Sequence, residues 1–158
     1  MTGQASTPVY LKPFYERWTM RQKGLITATF IGPEELDFRH PDKISNMLSG
    51  VNGLSFRRGS RGQMTVMSTN GTCPMAIVVD GVQKCGSSGC MGGNAGLSMG
   101  SRGGQIVTAA MIDINELVDA NDVAAMEVYT RGGNMPVSLQ VNDTACGVVA
   151  IWTGSRKP

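Results

Sequence analysis

The residues of this 158-residue sequence with the clearest potential for chemistry are its four cysteines, Cys73, Cys85, Cys90 and Cys146. An even number of cysteines in a glycine-rich chain permits two disulfide bonds, in any of three connectivities. Cys85 and Cys90 flank a Gly-Ser-Ser-Gly segment that is flexible enough to close a small ring. Cys73 and Cys146 each lie beside an apolar, strand-like run, and pairing of the two runs would bring these cysteines together.

A metal site with four cysteine ligands and a set of free thiols are the alternatives to disulfides. Zinc sites favour pairs of cysteines that are two residues apart. Here Cys85 and Cys90 form the one close pair, and four residues separate them. We therefore expect disulfides, and we expect no metal ion and no cofactor. Disulfides persist in oxidising compartments, so they predict a periplasmic or extracellular protein.

Two further motifs contain residue types that can serve catalysis or phosphate binding. His40 is the one histidine of the sequence, which excludes a metal site with two histidines, and its position before Pro41 favours a role in a turn. The glycine-rich residues 85–104 lack the spacing of known phosphate-binding loops. Neither motif predicts an active site.

Four acidic residues of the C-terminal third are predicted to have structural roles. We call them the acidic run, and they are Asp113, Glu116, Asp119 and Asp122. The spacing of the acidic run lacks the dense oxygen ligands and bend glycine of a calcium loop, so we expect solvated turns and a helix cap. Glu127 and Tyr129 are predicted to lie on the polar, surface face of a strand. The sequence therefore predicts a protein that is not an enzyme.

Composition excludes several classes of protein. The net charge of +2 is too small to indicate binding to nucleic acid. No apolar run approaches the roughly 20 residues of a transmembrane helix. Residues 1–7 lack the basic and apolar regions of a signal peptide. We therefore expect either a cytosolic protein or a mature exported form, and the predicted disulfides favour the exported form.

Hydrophobic patterns predict an α+β domain with a small mixed or antiparallel sheet and two or three short helices. Residues 25–31 and 147–153 have the β-branched, apolar composition of strands. Pro33, followed by two glutamates, is typical of a helix start. Other strands are predicted at residues 54–56, 63–68, 75–79 and 126–130, and a second helix from residue 41.

Two apolar groups outside this pattern are candidate contact surfaces for a protein partner. Residues 1–22 are predicted to be an extended N-terminal arm or linker, and residues 155–158 a tail. The arm carries the aromatic candidates Phe14, Tyr15 and Trp18. The glycine-rich loop, residues 85–104, carries Met91, Leu97 and Met99.

Nine blocks of the sequence occur in a fixed order within residues 23–154. They are residues 24–30, 33–36, 40–48, 51–54, 73–75, 79–82, 114–117, 122–129 and 145–153. Each block is weakly specific alone, but their order together is fairly specific, and it resembles the plug domain of TonB-dependent receptors. The resemblance implies an α+β plug-like domain in the bacterial cell envelope, and it supports Cys73 and Cys146 as a disulfide pair.

The departures from the family pattern bear on function. The plug of the receptors occludes an outer-membrane barrel, and we expect no barrel after residue 158 and no TonB box in residues 1–22. Asn52 replaces a proline that is usual in the family, and residues 85–104 replace an ordinary connection. We therefore expect a non-catalytic periplasmic module, an accessory subunit that docks on a larger membrane or envelope complex. The alternative is a plug-type component that binds a siderophore or glycan for a TonB-dependent uptake system.

Overall fold

The computed structural model describes residues 8–58, 62–68, 74–86, 89–90, 113–130, 135–139 and 146–155. Within these ranges the chain forms a six-stranded mixed sheet with helices on its faces and a separate two-stranded hairpin. The α+β fold class that the sequence predicts is confirmed.

The elements are named in chain order. The helices are α1 (Lys12–Gln22), α2 (Pro33–Arg39), α3 (Ile44–Leu48) and α4 (Ile114–Leu117). The strands are β1 (Thr29–Ile31), β2 (Leu54–Arg58), β3 (Met64–Ser68), β4 (Ala76–Val79), β5 (Val82–Gly86), β6 (Gly89–Cys90), β7 (Val123–Tyr129) and β8 (Val148–Thr153). Short 3-10 turns occur at Val9–Leu11, Ala120–Asp122 and Val137–Leu139.

The large sheet is built around β7 and β8. Its strand order is β1-β7-β8-β4-β5-β6. Strands β4 and β8 are parallel, and the other neighbours are antiparallel. All seven residues of β7 are buried, because the sheet is covered on both faces. Covered faces explain why β4, β7 and β8 have nearly continuous apolar sequences.

Each face of the sheet has its own apolar cluster. On one face, α2, α3, α4 and the β2–β3 hairpin contribute residues such as Leu36, Met47 and Ile114. On the other face, Leu11 and Phe14 from the N-terminal segment pack with Phe30 and Tyr129. The N-terminal segment is therefore part of the folded core and forms the cover of this second face.

Two local sequence signals give the structure that elementary backbone chemistry predicts. Asp80 and Gly81 both have positive φ, 49° and 82°, and join β4 to β5 as a two-residue hairpin loop. Pro33 begins α2, where its missing N–H costs no helical hydrogen bond, and Glu34 and Glu35 lie in the first turn.

The N-terminal region differs from its prediction. Residues 1–22 were expected to be extended, but residues 12–22 form helix α1. Pro13 is compatible with the first helical turn, and Leu11, Phe14 and Trp18 recur at helical spacing on the side that meets the sheet. This one-sided pattern is the physical reason for the helix, and it is visible in the sequence.

One strand prediction also changes in extent, and two strands were not predicted. Residues 25–31 were expected to form one strand, but only Thr29–Ile31 pair with β7, through Val128, Glu127 and Met126. Strands β5 and β6 were missed because they are short and polar. Most of the glycine-rich loop lies outside the described residues.

Candidate functional site

A buried polar cluster joins α1 to the centre of the sheet. We call it the α1 clasp, and it consists of Arg17 from α1, Glu127 and Tyr129 from β7, and Trp152 from β8. Arg17 Nε donates to Glu127 Oε2 at 2.8 Å, and Arg17 Nη2 donates to Glu127 Oε1 at 2.6 Å. Tyr129 Oη donates to Glu127 Oε2 at 2.6 Å, and Trp152 Nε1 donates to Glu127 Oε1 at 2.8 Å. The carboxylate thus accepts four hydrogen bonds.

Burial makes the clasp strong and specific. Glu127 is fully buried and Arg17 is 8% exposed. A buried carboxylate is costly unless its charge is paired and its lone pairs are used, and the clasp meets both conditions. The Arg17 guanidinium also lies 5.5 Å from the centre of the Trp152 ring, within cation–π range.

The electrostatics of the clasp fix the charge state of two of its members. Burial opposes the charge of Arg17, but the hydrogen bonds and charge of Glu127 outweigh it, so the pKa of Arg17 is raised above its ordinary value. Burial, followed by the charge of Glu127, raises the pKa of Tyr129 well above its ordinary value. Arg17 therefore stays protonated and Tyr129 stays neutral and able to donate at physiological pH.

The positions of Glu127 and Tyr129 differ from the sequence prediction. Both were expected on the exposed face of a strand, but both are buried under α1. The prediction failed because it treated residues 1–22 as an extended arm, which left that face of the sheet without a cover. The sequence did contain one signal for a buried ion pair, because Glu127 is a charged residue within an otherwise apolar strand. Arg17, on a helix with an aromatic face, is the residue of opposite charge that pairs with it.

Two of the four residues of the acidic run, Asp113 and Asp119, cap short helical turns. Asp113 begins α4 and accepts a hydrogen bond from the backbone N–H of Asn115 at 2.9 Å. Asp119 begins the following 3-10 turn and accepts from the backbone N–H of Asn121 at 2.8 Å. Such caps satisfy N–H groups that have no partner within the helix. In the described part of the chain, no three His, Cys, Asp or Glu side chains are grouped as a metal site.

An open cleft lies at the end of the sheet where β7 begins and β8 ends. Its volume is about 1030 Å³. The walls come from the end of α2, the segment between α4 and β7, and the end of β8. We call it the acidic cleft, and its polar lining includes Asp37, His40, Asp119, Asp122, Thr153 and Ser155.

The floor of this cleft is fixed by contacts between distant segments. Asp80 accepts hydrogen bonds from the backbone N–H of Thr153 at 2.8 Å and from its hydroxyl at 2.5 Å. Tyr10 donates its hydroxyl to the carbonyl of Ser155 at 2.7 Å, and its ring lies against Gly154. The end of β8 is therefore held from two sides, by the β4–β5 turn and by the N-terminal segment.

The aromatic candidates for partner binding are distributed between the core and the surface. Phe14 is fully buried, so it does not form an accessible contact surface. Tyr15 and Trp18 are half-buried and stacked, with ring centroids 5.8 Å apart. The Trp18 ring also packs against Gly32. The packing role of this aromatic cluster is thus clear. The loop candidates Met91, Leu97 and Met99 lie outside the described residues.

The cysteines are described in part. Within the described ranges no cysteine is a free thiol, and Cys85 and Cys146 are both buried. Cys73 and the side chain of Cys90 lie outside these ranges. The pairing therefore stays a prediction. The backbone register adds one fact, since Cys85 lies directly opposite Cys90 in the β5–β6 pair.

Comparison with known proteins supports the fold. No family model matches the sequence, and no curated protein matches it. No helix within the described ranges is both long and apolar enough to cross a membrane. Among solved structures, the chain is similar to the ferric enterobactin receptor PfeA, crystallised in complex with BCV-L6. The TM-score is 0.52 and the sequence identity is 25%, over 80% of this chain and 17% of that chain. The α+β fold of this chain is thus similar to one part of a TonB-dependent receptor, in agreement with a plug-like domain.

Proposed function

We propose that this chain is a plug-type, non-catalytic domain of a TonB-dependent uptake system in the bacterial cell envelope. The observation that carries the proposal is the similarity of fold to the ferric enterobactin receptor over 80% of this chain. The chain spans about a sixth of that receptor, 17% of its length. The ordered sequence blocks at residues 23–154 support the same family independently of the fold comparison.

The proposed mode of action is binding. Glu127 is a fully buried acid, and Arg17, Tyr129 and Trp152 already occupy its carboxylate. A general acid or base needs a free position within hydrogen-bond reach of its substrate. Asp113 and Asp119 are engaged as caps. These arrangements support a rigid module whose polar residues stabilise the fold.

We propose that the domain acts together with a larger membrane or envelope protein, and that its location is the periplasmic side of the outer membrane. The sequence favours an accessory subunit that docks on such a complex. A test is to follow the chain with a specific antibody in fractionated native cells, with and without cross-linking. We expect it in the envelope fraction, within or attached to a larger polypeptide. Recovery only as a soluble species of its own mass, in both conditions, would refute the proposal.

The acidic cleft favours the second candidate function, the binding of a small ligand. Ligand sites typically measure about 300–1000 Å³, and the cleft has a volume of about 1030 Å³. Aspartates along its walls repel anions, so a neutral glycan suits it better than an anionic ferric siderophore. Thermal-shift assays with neutral oligosaccharides and with a ferric siderophore distinguish these ligands. Asp122→Ala should reduce a shift that arises in the cleft, whereas Glu16→Ala, an exposed α1 variant, should leave it unchanged.

A further inference from the structure

Strand β1 lies at an edge of the large sheet. The strand-like sequence that contains it is longer than the segment that pairs with β7. Residues 26–31, Ile-Thr-Ala-Thr-Phe-Ile, are uncharged, and all of them except Ala28 are β-branched or aromatic residues that favour strands. Only Thr29–Ile31 pair with β7. Within the described part of the chain, no strand pairs with the outer side of β1. The N–H of Leu25 donates to the carbonyl of Met20 at 3.0 Å, in the turn that ends α1, so the open edge begins at residue 26. The backbone of residues 26–31 offers hydrogen-bonding groups along this edge.

The side chains of this segment alternate as those of a strand do, even before the paired part begins. Ile26, Ala28 and Phe30 pack into the apolar cluster under α1. Leu25, by contrast, is 59% exposed, and Thr27 is also exposed. This alternation of period two indicates an extended chain from residue 26 onward. The edge available for pairing is thus about twice as long as β1 itself.

A groove runs beside this edge. It has a volume of about 230 Å³ and lies between β1, helix α2 and the turn at residues 49–52. Glu35 and Arg39, which form an ion pair on α2, are part of its wall. A helix is about 10–12 Å in diameter with its side chains and rises about 5.4 Å per turn, so even one turn fills a larger volume than this groove has. The side chains of an extended segment are of the right size.

Proteins usually protect an exposed edge strand with a lysine, a proline or an inward-pointing charge. Residues 25–31 contain none of these. An unprotected edge promotes aggregation unless a partner covers it. The absence of protective residues, the open backbone and the adjoining groove all indicate the same kind of occupant, an extended peptide segment.

We propose that the outer edge of residues 26–31 is a docking site for an extended peptide segment of a partner protein, which adds to the sheet as a further strand. Backbone hydrogen bonds supply the affinity, and the groove beside α2 receives side chains of the incoming strand. Leu25 is an exposed apolar contact at the start of the site. This inference is independent of the proposed uptake function, because it depends only on the sheet edge.

The probe is a displayed library of linear 12-residue peptides, from which one binder is synthesised for titration against the purified chain. Amide groups of alternate residues in a strand point to the same side. N-methylation of alternate residues of the peptide should therefore abolish binding in one of the two possible sets and preserve it in the other. Hydrogen exchange should show new protection within residues 26–31 when the peptide binds.

Proline substitutions locate the site on the protein. Consecutive N–H groups of an extended chain point to opposite sides, so one of Thr27→Pro and Ala28→Pro removes an outward N–H. That variant should weaken binding by about tenfold or more, the effect of one lost hydrogen bond and a steric block. Thr27→Ala is the control and should bind within about twofold of the unchanged protein. Circular dichroism and thermal melting verify that each variant is folded.

Three results would overturn the proposal. The library yields no binder, or both N-methylated sets bind equally, or folded Thr27→Pro and Ala28→Pro both bind as the unchanged protein does. Light scattering that shows a dimer through this edge, with no peptide binding, would instead identify a second copy of this chain as the occupant.

Discussion

Arg17 and Glu127 form a two-point ion pair although 110 residues separate them in the sequence. Both nitrogen–oxygen distances, 2.8 and 2.6 Å, are those of charge-assisted hydrogen bonds. The pair lies between α1 and β7, so together with the aromatic packing of α1 it holds the N-terminal segment on the sheet. Its geometry makes the N-terminal helix a specified part of the domain.

Removal of one partner of this pair should destabilise the protein strongly. Arg17→Ala leaves Glu127 buried without its counter-charge, and such changes cost about 3–5 kcal/mol. The double variant Arg17→Met with Glu127→Gln removes both charges and should recover most of this loss. The measurement is the free energy of unfolding from urea titration of the three proteins.

Arg21→Ala is the matched control for the ion-pair prediction. Arg21 lies on the same helix but is exposed, so its removal should change the free energy of unfolding by no more than about 0.5 kcal/mol. Equal stabilities of Arg17→Ala and Arg21→Ala would contradict the structural role of the clasp.

The sequence predicts those parts of the fold whose signals are local. Helix α2 follows from Pro33 and its two glutamates, and the β4–β5 turn follows from Asp80 and Gly81. Strand β8 follows from its continuous β-branched composition. In each case the residues that decide the structure are within a few positions of it.

The candidate site could not be predicted in the same way, because its members come from three distant elements. Glu127 alternates with apolar neighbours and so has the pattern of an exposed strand position. Only the helix that brings Arg17 above it makes that position buried. The acidic cleft likewise depends on the meeting of α2, the α4–β7 segment and the end of β8. Such pairing depends on which distant elements meet, so the residues close to each member in the sequence do not decide it.

Stability should decline in alkaline solution through Tyr129. Burial and the charge of Glu127 raise the pKa of Tyr129 above its ordinary value of about 10. The unfolded chain releases this proton near pH 10, whereas the folded chain retains it. The stabilising contribution is therefore complete below about pH 10 and is lost as the pH rises towards the folded-state value. We expect a slope of up to about 1.4 kcal/mol per pH unit in the free energy of unfolding above pH 10.

Tyr129→Phe should remove most of that alkaline slope. Tyr15→Phe is the comparison, because the pKa of Tyr15 is also raised, chiefly by burial, but its side chain is half-buried at the surface of the domain. Unfolding titrations between pH 8 and 11 are the measurement. If Tyr15→Phe flattened the profile and Tyr129→Phe did not, the assignment to the clasp would be incorrect.

Gly147 is predicted to tolerate no side chain. Its φ is 102°, and an added Cβ would lie 2.4 Å from the carbonyl oxygen of Tyr129. Gly50 also has a positive φ, 86°, but an added Cβ there meets no atom within 4 Å. Gly50→Ala should therefore cost only the backbone strain, about 1–2 kcal/mol. Gly147→Ala should cost at least about twice as much in the same unfolding assay, and equal losses would contradict the close approach to β7.

The last prediction concerns the pairing of the cysteines, for which the strand register gives a physical basis. Cys85 and Cys90 are directly opposite in the antiparallel β5–β6 pair. Opposite residues have Cα atoms about 4.5–5.5 Å apart, within the range of about 4.4–6.8 Å that a disulfide spans. Ala76 pairs with Val148 in the parallel β4–β8 ladder, so the segments that follow Cys73 and Cys146 run side by side.

Non-reducing peptide mapping of the native protein should therefore link Cys85 to Cys90 and Cys73 to Cys146. The intact mass should be about four units below that of the reduced protein, because each disulfide removes two hydrogens. Reduction should lower stability mainly through the Cys73–Cys146 bond, since it closes the longer loop. A Cys73→Ser/Cys146→Ser variant should reproduce most of that loss, whereas Cys85→Ser/Cys90→Ser should reproduce the smaller part. A linkage between Cys85 and Cys146, or four reactive thiols in protein purified without reductant, would disprove this pairing.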